Sequence, residues 1–257
     1  MQLLTRPCHT PEFLNSTHLG VEAHITRYDR LPDWPQYIPF VGGVHLPYAG
    51  MNLAAFDDVL RRQSIAKVKE AIVEGCQYSI DRMVMHPTGI HTMDDEVVGD
   101  YDRLISAIQE IADFAAIRKI TICLENMVMH RPAHLSFGCT AAEWFRIRED
   151  AGRPNLMLTL DSSHAATSVA LFATAEERFA RLYDFLAHPE LIGRVHWSDA
   201  RLTNQEALYH DMHLVPGEGD LPLDFHRQIN RLDVVKTLEQ RRPEEDMLAG
   251  LKFIASL

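Results

Sequence analysis

The chain has 257 residues, 46% hydrophobic and 24% charged, a balance that excludes a disordered polypeptide and fits a folded globular protein. Acidic residues outnumber basic ones 36 to 25, and the formal net charge of -11 works against a general affinity for nucleic acid, though not against a local cationic groove. Cys8, Cys76, Cys123 and Cys139 form no C-x-x-C pair, which argues against a zinc knuckle or disulfide framework and for a reducing cytoplasm. No signal-peptide run or apolar stretch of ~18 residues is visible, so neither export nor membrane insertion is expected.

Short β-rich runs alternate with longer helical segments. The strands predicted in chain order are "QLLT" (2–5), "GVEAHI" (20–25), "VGGVHL" (41–46), "RMVMH" (82–86), "ITICLE" (120–125), "LMLTLD" (156–161), "GRVHWS" (193–198) and "VVKTLE" (234–239). Between them, residues 53–76 place Phe56, Leu60, Ile65, Val68 and Ile72 at helical spacing, and residues 101–119 do so with Leu104, Ile108, Ile111 and Ala115. Four more helices are expected in 139–152, 174–188, 222–229 and 243–257, with Thr140 and Thr174 as N-caps and Pro222 and Pro243 near first turns. The first two connections differ. "TPEFLNST" allows one or two turns, and the proline-rich 26–40 has little helical pattern, so two outer helices are expected to be shortened or missing. With no repeat or linker, the pattern predicts one domain over 1–257, a (β/α)8 TIM barrel of α/β class.

Six strand runs end in a group that can ligate metal: His45, His86, Glu125, Asp161, His196 and Glu239. In a barrel the carboxyl ends of all strands open on one face, so these six converge. A single polar residue at a strand end often does no more than meet solvent or backbone. Six nitrogen and carboxylate donors together suit a borderline divalent ion, zinc or manganese. His164, three residues after Asp161, can reach the same centre. Asp211 and His213, in "YHDMHLVPGEGDLP" (209–222), add two more on the same rim.

The set "VHLPYAGMNLA", "VMHPTGIHT", "CLENM", "TLDSSHA", "VHWSDA", "DMHLVPGEGDLP" and "TLEQ" resembles the xylose isomerase-like TIM-barrel superfamily. That group includes sugar isomerases and epimerases and the endonuclease IV type of abasic-site nuclease (AP endonuclease family 2). The isomerase branch implies one divalent ion held by Glu125, Asp161, His196 and Glu239, with His164 touching substrate. The two glutamates would then pass a carbon-bound proton through an enediolate. The nuclease branch implies a three-zinc cluster that adds His45, His86, Asp211 and His213, and it would direct the chemistry to phosphorus.

The first reading is therefore a metal-dependent isomerase or epimerase of a sugar or sugar phosphate, with one to three ions per chain and Glu125 and Glu239 as catalytic residues. The alternative is a trinuclear zinc phosphodiesterase or abasic-site nuclease, the only reading with a nucleic-acid partner. A metal-retaining binding module without catalysis is the third. The early loops lack a basic run, offering Arg27 and Arg30, and Ala49 stands where a bulky wedge would follow Tyr48, so the fit to DNA is partial. Tyr48, Trp197 and Arg201 are candidate substrate contacts. His91 is a further rim cation, and Asp199 is a candidate second acceptor for a ligand imidazole. No membrane partner is expected; a homo-oligomer is compatible with this reading.

Overall fold

The computed structural model describes residues 2–25, 27, 29–30, 32–87, 99–129, 136–203 and 210–257. Eight parallel strands close a barrel: β1 (Leu3–Thr5), β2 (Gly20–His24), β3 (Val41–His45), β4 (Arg82–Met85), β5 (Thr121–Glu125), β6 (Leu156–Asp161), β7 (Ile192–His196) and β8 (Val235–Leu238). β8 pairs with β1, with Leu4 opposite Thr237, so the weak first run "QLLT" does close the ring. Each strand lies within two residues of its predicted bounds.

The outer layer comprises α1 (Pro11–Thr17), α2 (Asp58–Gly75), α3 (Tyr101–Ala116), α4 (Ala141–Ala151), α5 (Ser162–Val169), α6 (Ala175–Leu182), α7 (Leu223–Arg231) and α8 (Glu244–Ala255). α1 has only seven residues, and two single 3-10 turns, Trp34–Gln36 and Ile38–Phe40, replace the second outer helix, each with proline near its start. Thr140 and Thr174 are N-caps as predicted. Thr174 completes a capping box with Glu177.

α3 turns Leu104, Ile108, Ile111 and Ala115 fully inward, and burying each of its larger side chains contributes about 1.5–3 kcal/mol. α2 corrects one expectation. Asp57 caps it at Asp58, so Phe56 precedes the helix and is 58% exposed, and Leu60 faces solvent as well; Ile65, Val68 and Ile72 carry the contact. α5 is not among the helices expected from the sequence. Its eight residues are all buried, so it has no polar face from which a helical period could be read.

Candidate metal centre

Strand alternation decides what enters the barrel mouth. His24, His45, Glu125, Asp161 and His196 are the last residues of β2, β3, β5, β6 and β7, while Arg6, His86 and Glu239 follow β1, β4 and β8 directly. Every strand thus delivers an ionisable residue to one rim.

The donors fall into adjoining groups whose ligand atoms lie within 4.8 Å of one another: His45, His86 and Glu125; Glu125, Asp161, His196 and Glu239; and Asp161, His164 and His213. Glu125 belongs to the first two and Asp161 to the last two. Glu125 Oε2 lies 3.3 Å from His45 Nε2 and 3.2 Å from His86 Nε2, and its Oε1 lies 3.1 Å from His196 Nδ1. Glu239 Oε2 is 3.2 Å from His196 Nδ1 and 3.7 Å from His213 Nδ1. Asp211 Oδ2 meets His213 Nε2 at 2.8 Å and His164 Nε2 at 3.5 Å. All nine predicted ligands come together.

Three imidazoles are fixed in tautomer by their other nitrogen. His45 Nδ1–H donates to the Leu46 carbonyl at 2.7 Å and His164 Nδ1–H to the Asn126 carbonyl at 2.8 Å, so each presents Nε2. His196 Nε2–H donates to Glu22 Oε2 at 2.9 Å and presents Nδ1. Asn126 also holds the Asp161 backbone from both sides, accepting from its N–H at 2.7 Å and donating to its carbonyl at 3.0 Å.

The residues fit a cation. Asp161 Oδ1 caps α5 by accepting from the His164 N–H at 2.9 Å, but Oδ2, fully buried, has no hydrogen-bond donor. Burial pushes the Asp161 carboxyl up to about 6, and Glu125 and Glu239 add to the rise despite the neighbouring histidines. A positive charge among these oxygens would relieve that strain. Burial also opposes ionisation of Glu125 and Glu239, yet His196 and His86 around the first, and Arg6 and His196 around the second, hold both well below the carboxylate range. Conversely, the carboxylates overcome burial to raise His164 and His196 well above the ordinary histidine value. With imidazole nitrogens and carboxylate oxygens together, this donor set suits zinc, manganese or a similar ion.

Several candidates lie elsewhere than expected. Trp197, the residue after inward-facing His196, points away from the mouth; it is fully buried and donates to His226 Nδ1 at 3.0 Å, so it forms no wall for a ligand. Asp199 does not hold a ligand imidazole. It accepts from the N–H groups of Ala200 (2.8 Å), Gly217 (3.0 Å) and Leu221 (3.1 Å), and its backbone bridges Leu214, which pins the segment after His213 to the end of β7. Arg201 is exposed and donates to the Glu218 carbonyl at 3.0 Å. Tyr48 does overhang the centre, stacked on His86 at 4.6 Å and bonded through its hydroxyl to Arg27. His91 lies outside the described residues.

Three residues at the centre were not anticipated. Glu22 is fully buried inside β2, bound to His196, to Arg194 Nη2 at 2.8 Å and to the Thr237 hydroxyl at 3.1 Å. His24 stacks on His45 at 4.4 Å, and Arg6 donates to Glu239 Oε1 at 2.9 Å. The signal was present in "GVEAHI": Glu22 and His24, two apart, share one strand face, and an acid in an apolar strand requires a partner.

A family model for the xylose isomerase-like TIM barrel matches residues 37–257. The chain belongs to the xylose isomerase-like TIM-barrel family. Among solved structures it is similar over its full length to 3-keto-D-glucoside 4-epimerase, YcjR, from E. coli, with a TM-score of 0.71, 13% identity and 100% of both chains covered. It is similar to the TTHB071 protein from Thermus thermophilus, a structure soaked with ZnCl2, with a TM-score of 0.69, 21% identity and coverage of 100% and 98%. Both likenesses concern the fold. In sequence it is 29% identical over 126 residues to the Methanocaldococcus jannaschii protein MJ1311, a match spanning 49% of this chain and 42% of that protein. Among the described residues no helix is long and apolar enough to cross a membrane.

Proposed function

We propose that the chain is a divalent-metal-dependent enzyme whose polynuclear centre hydrolyses a phosphoester bond in a small carbohydrate-bearing substrate. The observation that carries this reading is the group around Asp161: His164 and His213 adjoin it, and Asp211 contacts both histidines. The one-ion site of Glu125, Asp161, His196 and Glu239 does not require Asp211 or His213 as ligands.

The state of the glutamates favours the same reading. A base that takes a proton from carbon needs a carboxylate oxygen facing substrate. Glu125 instead has Oε2 between His45 and His86 and Oε1 beside His196, while Glu239 is shared between Arg6 and His196. Bound divalent ions would supply charge neutralisation at a phosphate and acidify a water. Around them Glu125 and Asp161 each serve two adjoining positions, Arg6 steadies Glu239, and Tyr48 covers the mouth.

The carbohydrate part of the proposal draws on the sugar substrate in the name of the epimerase whose fold is similar. A second reading, sugar isomerisation or epimerisation, is favoured by the group Glu125, Asp161, His196 and Glu239 on the last four strands, with one ion and the two glutamates moving the proton. Metal content and two assays separate them. Hydrolysis predicts more than one ion per chain and nitrophenol release from bis(p-nitrophenyl) phosphate. A single ion, no nitrophenol and solvent deuterium entering a ketose would reverse the order; cleavage of an abasic-site oligonucleotide would move the substrate to DNA.

A further inference from the structure

We propose that His226, on the outer helix α7, is a positioning residue for the metal centre: through Asp199 it holds the segment that presents Asp211 and His213. The proposal deepens the polynuclear reading above and rests on it. His226 is buried and lies in none of the candidate ligand groups among the described residues. The indole N–H of Trp197 donates to its Nδ1 at 3.0 Å; an indole can only donate, so the neutral ring carries its proton on Nε2. That nitrogen faces Asp199 Oδ2 at 3.3 Å. A helix of the outer layer thereby reaches a carboxylate just beyond the end of β7.

Asp199 gathers the segment. Its Oδ1 accepts from the N–H groups of Ala200 at 2.8 Å and Leu221 at 3.1 Å, its Oδ2 accepts from Gly217 at 3.0 Å, and its backbone exchanges two hydrogen bonds with Leu214, at 2.7 and 3.0 Å. Burial opposes the Asp199 charge, but the His226 ring and the N–H groups of Leu221 and Ala200 hold its carboxyl below the ordinary value. Position 219 has room only for glycine: a methyl group there would overlap Asp199 Oδ1 and the Ala200 carbonyl. Leu214 directly follows His213, whose φ of 43° lies in the left-handed region that side chains disfavour. Such a backbone persists only where its surroundings fix it. On one side the His213 N–H donates to Ser163 Oγ at 3.3 Å, and on the other stands the bridge between Leu214 and Asp199. Loosening Asp199 therefore releases His213 together with the Asp211 that it meets, while Glu125, Asp161, His196 and Glu239 keep their places at the strand ends.

The test compares His226→Asn with His226→Gln in the full chain. The Asn amide oxygen still accepts from Trp197 but does not reach Asp199, whereas the Gln amide nitrogen, near the place of Nε2, still donates to Asp199. Hydrogen exchange is followed over residues 213–221 in the chelated protein, and ions per chain are counted by native mass spectrometry after loading with zinc. His226→Asn is expected to exchange the amides of Leu214, Gly217 and Leu221 at least tenfold faster than the wild type and to lose one ion while keeping the rest. His226→Gln is expected to restore both. Unchanged exchange in His226→Asn overturns the proposal, as does a loss of every ion that His226→Gln shares, which marks a structural role alone. Should His226→Asn fail to fold, Gly219→Ala pushes the same segment off Asp199 with His226 in place and is read by the same two measurements. Failure of the polynuclear reading appears separately, as a wild type that holds a single ion while exchange still differs between the Asn and Gln variants.

Discussion

Glu22 Oε2 accepts the Nε2–H of His196 at 2.9 Å, so the ring turns Nδ1 toward Glu125, Asp161 and Glu239. Glu22 also faces Arg194 at 2.8 Å, deep in the barrel. Losing such an acceptor typically weakens metal affinity about 10–100-fold. Glu22→Gln is therefore expected to lower zinc affinity within that range in a chelator competition. Glu22→Ala, which strands the Arg194 charge, should also destabilise the fold by about 3–5 kcal/mol in denaturant titrations. Unchanged zinc affinity in Glu22→Gln would separate this contact from metal binding.

Removing divalent ions leaves the Asp161 Oδ2 without a donor among buried carboxylates. A ligand at 100 times its Kd stabilises a folded chain by about 2.7 kcal/mol. The thermal midpoint is expected to fall on chelation and to recover with zinc or manganese. A midpoint insensitive to chelator would contradict the cation assignment.

Asp211→Asn with His213→Ala removes two donors at the edge of the centre and leaves the group of Glu125, Asp161, His196 and Glu239 in place. Native mass spectrometry should show this variant losing one ion while retaining the rest. Retention of the wild-type complement would count against a polynuclear centre that includes this segment.

Lys236 offers a pH test away from the candidate metal ligands. Its side chain is fully buried, its ammonium donates to the carbonyls of Leu232 and Val234, and burial pulls its pKa down from 10.5 to about 8. Below about 8 both folded and unfolded chains hold the proton. Between about 8 and 10.5 only the unfolded chain does, so this group makes stability rise with pH across that window. The buried Cys123 and Cys139 thiols, pushed up to about 12, act in the opposite sense above about 9, so the test is the difference: denaturant titrations at pH 7, 8.5 and 10 should show the wild type gaining stability with pH relative to Lys236→Met. Equal pH profiles would refute the shift.

The barrel is legible in the sequence because strands and helices alternate, and six candidate ligands are legible because each closes an apolar run. The same rule applied to β1 and β2 yields Arg6 and His24. Glu22 escapes it because it sits inside a strand rather than at its end. The two-residue period also argues against Trp197 as a contact: next to an inward His196, it must face outward, where α7 supplies His226 as its partner. Asp199 is hidden for another reason, since nothing in local spacing distinguishes a carboxylate that holds a ligand imidazole from one that gathers the N–H groups of Ala200, Gly217 and Leu221 and faces the imidazole of His226 at 3.3 Å.

The ring of strand ends is not uniform around its circumference. β1 to β4 end in Arg6, His24, His45 and His86, all nitrogen bases, whereas three of the ends from β5 to β8 are the carboxylates Glu125, Asp161 and Glu239. The mouth is therefore chemically two-sided, with nitrogen donors along one half of its rim and mostly carboxylates along the other. A molecule with unlike ends meets imidazoles at one edge and carboxylates at the other. Exchanging the two halves of the ring would keep the same set of donors while reversing the edge that each end of such a molecule meets.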